Sequence, residues 1–77
     1  SNSNISGKVF VLTGKMPKKR NEYEAMIISK GGIVAGSVSK NTDYLVIADI
    51  SSTSSKAVKA RKLGTKLISP EELEELL

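Results

Sequence analysis

Val9-Phe10-Val11-Leu12-Thr13-Gly14 is the stretch on which the fold turns. A strand made from its unbroken apolar run has no face suited to water. Both sides must be covered, which places it at the centre of a parallel sheet. Thr13-Gly14 ends the run, and Gly14-Lys15-Met16-Pro17 breaks it. From about Lys18 to Lys30 the apolar period becomes helical. Tyr23, Met26, Ile27 and Lys30 fall on one face, the lysine through its aliphatic stem. Glu22 and Glu24 stand in the early turns, where the helix dipole favours anions. Gly31-Gly32 stops the helix. One of the two is expected at positive φ as a C-terminal cap, the other to be kept small by a nearby turn or strand.

Downstream, Ile33-Val34-Ala35 and Tyr44-Leu45-Val46-Ile47-Ala48 read as strands separated by a polar, turn-like segment from Gly36 to Asp43. Asp49 to Ser55 is a Ser/Thr-rich loop able to cap a helix running to Leu63, with Ala57, Ala60 and Leu63 inward and Gly64 at its end. Lys66-Leu67-Ile68 is the last strand. Ser69-Pro70-Glu71-Glu72 opens a final helix with a capping box and a first-turn proline, and Ile68 and Leu73 occupy the staple positions. Leu73, Leu76 and Leu77 form its inner stripe. The order is β-α-β-β-α-β-α, with no internal repeat. Such alternation predicts an α/β fold: a parallel sheet, helices on both faces and right-handed crossovers. Upstream, the domain is expected to begin at Ile5, with Ser1-Asn2-Ser3-Asn4 a linker end or expression scar.

At 77 residues there is room for one domain and a thin core, and none for a substrate cleft walled on all sides. No apolar run approaches the ~20 residues that span a membrane. Cysteine and histidine are both absent, which removes disulfides, thiol chemistry, most transition-metal sites and the usual general base. A reducing, intracellular compartment is compatible with this. The net charge is +4. Residues 1–40 carry seven basic groups against Glu22 and Glu24, a balance of +5, while residues 41–77 carry five basic and six acidic groups, a balance of −1. A basic first half suits a polyanion, although it also serves solubility.

Thr13-Gly14 after an apolar strand, Gly31-Gly32 after the first helix and Ser37-Val38-Ser39-Lys40-Asn41-Thr42-Asp43-Tyr44-Leu45-Val46 together resemble the BRCT signature. Ser55-Lys56-Ala57, Lys59-Ala60, Leu63-Gly64 and Ile68-Ser69 extend the likeness from Ile5 to Leu77. Within the family the chain is similar to the BRCT domains of bacterial NAD-dependent DNA ligases and of the clamp-loader large subunit. The resemblance implies a four-stranded parallel sheet in the order 2-1-3-4, with the first and third helices on one face and the second on the other. One departure is plain. Many BRCT domains carry an aromatic residue in the last helix where this chain has Leu73, which implies looser packing there and weakens the case for a tandem BRCT pair.

In an open parallel sheet, ligands bind beyond the carboxyl ends of the strands where the strand order reverses. That region should gather Thr13, Gly14 and the N-terminus of the second helix, with Lys56 in its first turn. Unpaired N–H groups, a hydroxyl and an ammonium suit a phosphate. By resemblance, Thr13, Gly14 and Lys56 match the phosphate-binding positions of phosphopeptide-binding BRCT domains. Arg20 matches an arginine serving 5′-phosphorylated DNA in the clamp-loader relative. Lys15, Lys18 and Lys19 lie beside Arg20 in sequence and could follow a DNA backbone without reading bases. Each has a plainer role: Thr13 could satisfy a loop backbone group, Gly14 make a turn, and Lys15 to Arg20 form a solvated loop. Lys59, Arg61 and Lys62 read as a solvated helix face, and Tyr23 and Tyr44 as core.

The expected function is a non-catalytic module that holds nicked or 5′-phosphorylated duplex DNA, or else recruits a phosphopeptide or a repair or replication protein. The resemblance implies a parent NAD-dependent DNA ligase in the bacterial cytoplasm, associated with the nucleoid. It implies no cofactor in this domain, no membrane partner and a monomeric isolated domain. Ligation requires a nucleophilic lysine in a nucleotidyl-transfer domain far larger than this chain, and no such motif is present in it.

Overall fold

The computed structural model of the chain describes residues 5–14, 16–49 and 51–77; the expected linker Ser1-Asn2-Ser3-Asn4, Lys15 and Ile50 lie outside the described residues. The strands are β1 (Val9–Thr13), β2 (Ile33–Ala35), β3 (Tyr44–Ile47) and β4 (Lys66–Ile68). The helices are α1 (Arg20–Ser29), α2 (Ser55–Leu63) and α3 (Pro70–Leu76). The strands form one four-stranded sheet in the order β2-β1-β3-β4, all pairs parallel. This is the α/β architecture expected from the sequence. Among the described residues, no helix is long and apolar enough to cross a membrane.

Alternation along β1 divides the core in two. Phe10 and Leu12 point to one side and join Ile5, Tyr23, Ile27, Val46, Ile68 and Leu73, so α1 and α3 cover that face. Val11 points to the other side with Val38, Leu45, Ile47, Ala57 and Ala60, so α2 covers it alone. β1 is therefore buried on both faces, as its unbroken apolar run requires. Phe10 and Tyr44 are register partners on β1 and β3, and their rings stack with centroids 5.0 Å apart. Tyr23 is fully buried. Tyr23 thus belongs to the core, and the half-buried Tyr44 packs against it. Leu73 is completely buried in the same cluster as Ile68.

The helix ends follow local chemistry. The Ser69 hydroxyl accepts from the Glu72 backbone N–H at 3.1 Å, and the Glu72 carboxylate accepts from the Ser69 N–H at 3.2 Å, completing the capping box. At α1 the Glu22 carboxylate accepts from the Lys19 N–H at 3.1 Å. The helix starts at Arg20, two residues later than the apolar period alone suggests. Its exit is a Schellman turn: Gly31, at φ +88°, donates to the Ile28 carbonyl at 3.0 Å, and Gly32 donates to Ile27 at 2.8 Å. A Cβ on Gly32 would stand 2.5 Å from Ile27 Cγ2, so this glycine is held by space rather than by its backbone angle.

Two expected inward residues face water. Lys30 is exposed. Leu63 is 37% exposed, because as the last residue of α2 it stands off the buried Ala57–Ala60 stripe. Ala48 lies beyond the end of β3 and is exposed.

Candidate functional site at the carboxyl ends of β1 and β3

Thr13 ends β1 and is in register with Ile47, the last residue of β3. From these adjacent ends the chain leaves in opposite directions, toward α1 on one face and α2 on the other. A crevice between the two exits is the geometric consequence. Here it is a shallow depression of about 300 Å³, lined by Thr13, Gly14, Ile47, Ala48, Asp49, Ser52 and Ser54.

Each wall has a local cause. Gly14 adopts φ +78°, a left-handed turn that glycine takes without strain, and a Cβ there would meet open space. Ser54 caps α2, its hydroxyl accepting from the Ala57 N–H at 3.4 Å. The α2 N–H groups of Ser55 and Lys56 have no hydrogen-bond partner among the described residues, as expected for a first turn. The same holds for the half-exposed Thr13 hydroxyl, so Thr13 does not spend its side chain on the loop backbone. Lys56 lies half-buried in the first turn of α2, but it is not one of the residues lining the depression.

The sequence did not single out Asp49. Its Oδ1 accepts from the Ser51 hydroxyl at 2.6 Å and from the Ser51 N–H at 3.0 Å. These bonds, the hydroxyl foremost and helped by the charge of Arg61, hold its carboxyl below the ordinary aspartate range. The depression thus contains one fixed negative charge beside its hydroxyl and N–H donors. An Asp followed two residues later by Ser is the local signal of such a turn. Arg61 steadies the same loop: its Nη1 donates to the Ser52 carbonyl at 2.7 Å. It is therefore not simply part of a solvated face.

Of the expected DNA-backbone residues, Lys18, Lys19 and Arg20 do not line this depression. Arg20 lines a separate crevice of about 340 Å³ over β1 and β2, with Leu12, Glu24, Val34, Ala35 and Gly36. Lys18 is tied to α3, its Nζ lying 3.0 Å from Glu74 Oε1. That hydrogen bond and charge raise the lysine's pKa. Lys19 is exposed at the start of α1, and Lys15 lies outside the described residues. Of this group, Lys18 is thus engaged within the fold, and Lys19 and Arg20 remain exposed. The acidic α3 packs beside α1 and takes one of these cations for itself.

The signature segment has a structural task. Val38 is buried. The Thr42 hydroxyl accepts from the Ser39 N–H at 3.0 Å, and its carbonyl accepts from the buried Thr65 hydroxyl at 3.3 Å. These contacts fix the entry into β3, and so fix where β3 ends beside Thr13.

A parallel sheet in the order 2-1-3-4 under two helices and over one, with a shallow crevice at the strand-order reversal, is a small α/β architecture. The model of the BRCA1 C Terminus (BRCT) domain matches residues 1–77, and the chain belongs to this family. Among curated proteins it is similar to a DNA ligase of Sorangium cellulosum, 51% identical over 95% of the chain and 11% of that ligase. A DNA ligase of Methylacidiphilum infernorum is 46% identical over 100% of the chain and 11% of the ligase. One of Neisseria gonorrhoeae is 47% identical over 99% of the chain and 9% of the ligase. The chain thus spans about a tenth of the length of these relatives.

Proposed function

We propose that this chain is a non-catalytic DNA-positioning module of an NAD-dependent DNA ligase, holding nicked or 5′-phosphorylated duplex while other domains carry out the chemistry. The observation that carries the reading is that Thr13, whose hydroxyl has no partner among the described residues, lines one depression with Ser54, the cap of α2. A terminal phosphate there would accept from Thr13 and from the first-turn N–H groups, with Lys56 adding charge from close by. Gly14 lets the backbone turn away without crowding the phosphate. Arg20 and Lys19, on the far side of β1, would hold the adjoining backbone. Similarity to DNA ligases along the whole chain supports this choice of partner over a phosphopeptide.

Titration of 5′-phosphorylated and unphosphorylated duplexes across a range of salt concentrations tests the proposal. With three to five phosphates contacted, log K should fall with log salt at a slope of about −3 to −4.5. The phosphorylated duplex should bind more tightly. Affinity that ignores salt, or tighter binding of a phosphopeptide than of either duplex, would overturn it.

A further inference from the structure

We infer that the outer face of α2, built on Lys59 and Lys62 with the hydroxyls of Thr53 and Ser55, docks the sugar–phosphate backbone of duplex DNA. This rests on the DNA reading above and gives the duplex a place. Residues 55, 58, 59 and 62 share one helical face, turned directly away from the buried Ala57 and Ala60. Together with Thr53 they line an open groove of about 370 Å³.

Three observations direct a polyanion here. First, charge is segregated by sheet face. α1, α3 and residues 16–19 carry four basic groups (Lys18, Lys19, Arg20, Lys30) against six acidic (Glu22, Glu24, Glu71, Glu72, Glu74, Glu75), a balance of −2. α2 carries Lys56, Lys59, Arg61 and Lys62 and no acid, a balance of +4. Second, neither Lys59 nor Lys62 makes an ion pair among the described residues, whereas Lys18 is held by Glu74. Third, one stretch of chain serves both the groove and the depression at Thr13. Along one segment, Ser52 and Ser54 line the depression while Thr53 and Ser55 line the groove.

The chemistry specifies duplex backbone. Ammonium and hydroxyl donors are the usual phosphate contacts, and they read no sequence. From Ser55 to Lys62 the helix rises about 10 Å, enough to meet two or three phosphates of one strand. Single strands are bound largely by stacking on exposed aromatic rings. The chain's three aromatic residues, Phe10, Tyr23 and Tyr44, all lie in the core or against it.

The experiment compares the wild-type chain, Lys59→Ala/Lys62→Ala and Lys18→Ala/Lys19→Ala by duplex titration at several salt concentrations, with thermal melts as a check on folding. Removing Lys59 and Lys62 should weaken binding to phosphorylated and unphosphorylated duplex alike, by roughly tenfold near 0.1 M salt, and should flatten the salt slope by about 2. The Lys18/Lys19 variant should lose less, since one of its lysines is already paired. Wild-type binding with an unaffected Lys59/Lys62 variant would overturn the α2 placement alone. A wild-type chain that binds neither duplex would overturn the DNA reading and this inference together. Polyglutamate that competes as well as duplex, through the same two lysines, would replace DNA with an acidic polypeptide and overturn the inference.

Discussion

Asp43 and Val9 are joined by two hydrogen bonds: the Val9 N–H donates to Asp43 Oδ2 at 2.8 Å, and the Asp43 N–H donates to the Val9 carbonyl at 2.9 Å. The same aspartate's carbonyl accepts from the Lys66 N–H at 3.3 Å, so one residue ties the starts of β1, β3 and β4. In the sequence, Asp43 stands out only as part of the segment that carries the family likeness. Its position gives that segment a structural task at the amino ends of the strands, with Thr13 and the candidate site at the carboxyl ends.

Asp43→Ala should therefore lower stability without altering ligand preference. The lost bond is to a carboxylate, and it leaves the Val9 N–H short of a partner, at a cost of about 1–3 kcal/mol. Asp43→Asn keeps an acceptor and should recover part of this. Denaturant unfolding gives the stability, and DNA titration well below the melt should show an unchanged ratio between phosphorylated and unphosphorylated duplex.

Gly31→Ala and Gly32→Ala should each lower the melting temperature for different reasons. At Gly31 the left-handed backbone costs a Cβ-bearing residue about 1–2 kcal/mol. At Gly32 the added methyl overlaps Ile27 and lies 3.3 Å from Ile5 Cδ1, an overpacking cost of about 1–3 kcal/mol. In a domain this small each kcal/mol shifts the midpoint by about 4–8 °C. Neither variant should change phosphate selectivity, because Ile33, the next residue, pairs with Val9 at the far end of β1 from Thr13.

Thr13→Ala and Lys56→Ala should weaken binding to 5′-phosphorylated duplex more than to the same duplex lacking the phosphate. A charge-assisted hydrogen bond is worth about 1.5–3 kcal/mol, so the loss at Thr13 should be roughly tenfold or more. Lys56 is not in the lining of the depression, so its loss should be the smaller. Equal losses on both duplexes would assign these residues to general charge instead of a phosphate pocket.

Asp49→Asn should tighten phosphate binding. The carboxylate is ionised at neutral pH and lines the depression. An asparagine oxygen can still accept from Ser51, so the loop keeps its shape while one repulsive charge is lost. Near water's dielectric this is worth roughly two- to fivefold at low ionic strength and less as salt rises. A titration showing weaker binding by Asp49→Asn would mean that the carboxylate orders the loop more than it repels the ligand.

The sequence by itself determined the order of the elements of this fold and most of their ends, because those signals are local. An unbroken apolar run must be covered on both faces, Ser69-Pro70-Glu71-Glu72 caps itself within one turn, and Gly31-Gly32 closes the helix just before it. It also brought Thr13 and Gly14 to the start of α2, because strand ends and helix starts follow from the element order. Tertiary structure alone decided which charges share a face. Summed along the chain, the four cations of α2 and the four glutamates of α3 cancel, and the second half looks neutral. In space the sheet stands between them, with α2 on one face and α3 beside α1 on the other, where Glu74 takes up Lys18. Electrostatic attraction depends on distance through the fold, not on separation along the chain. For that reason the four cations of α2 share a sheet face apart from the acidic α3, while in the loop before α1 Lys18 is already paired with Glu74.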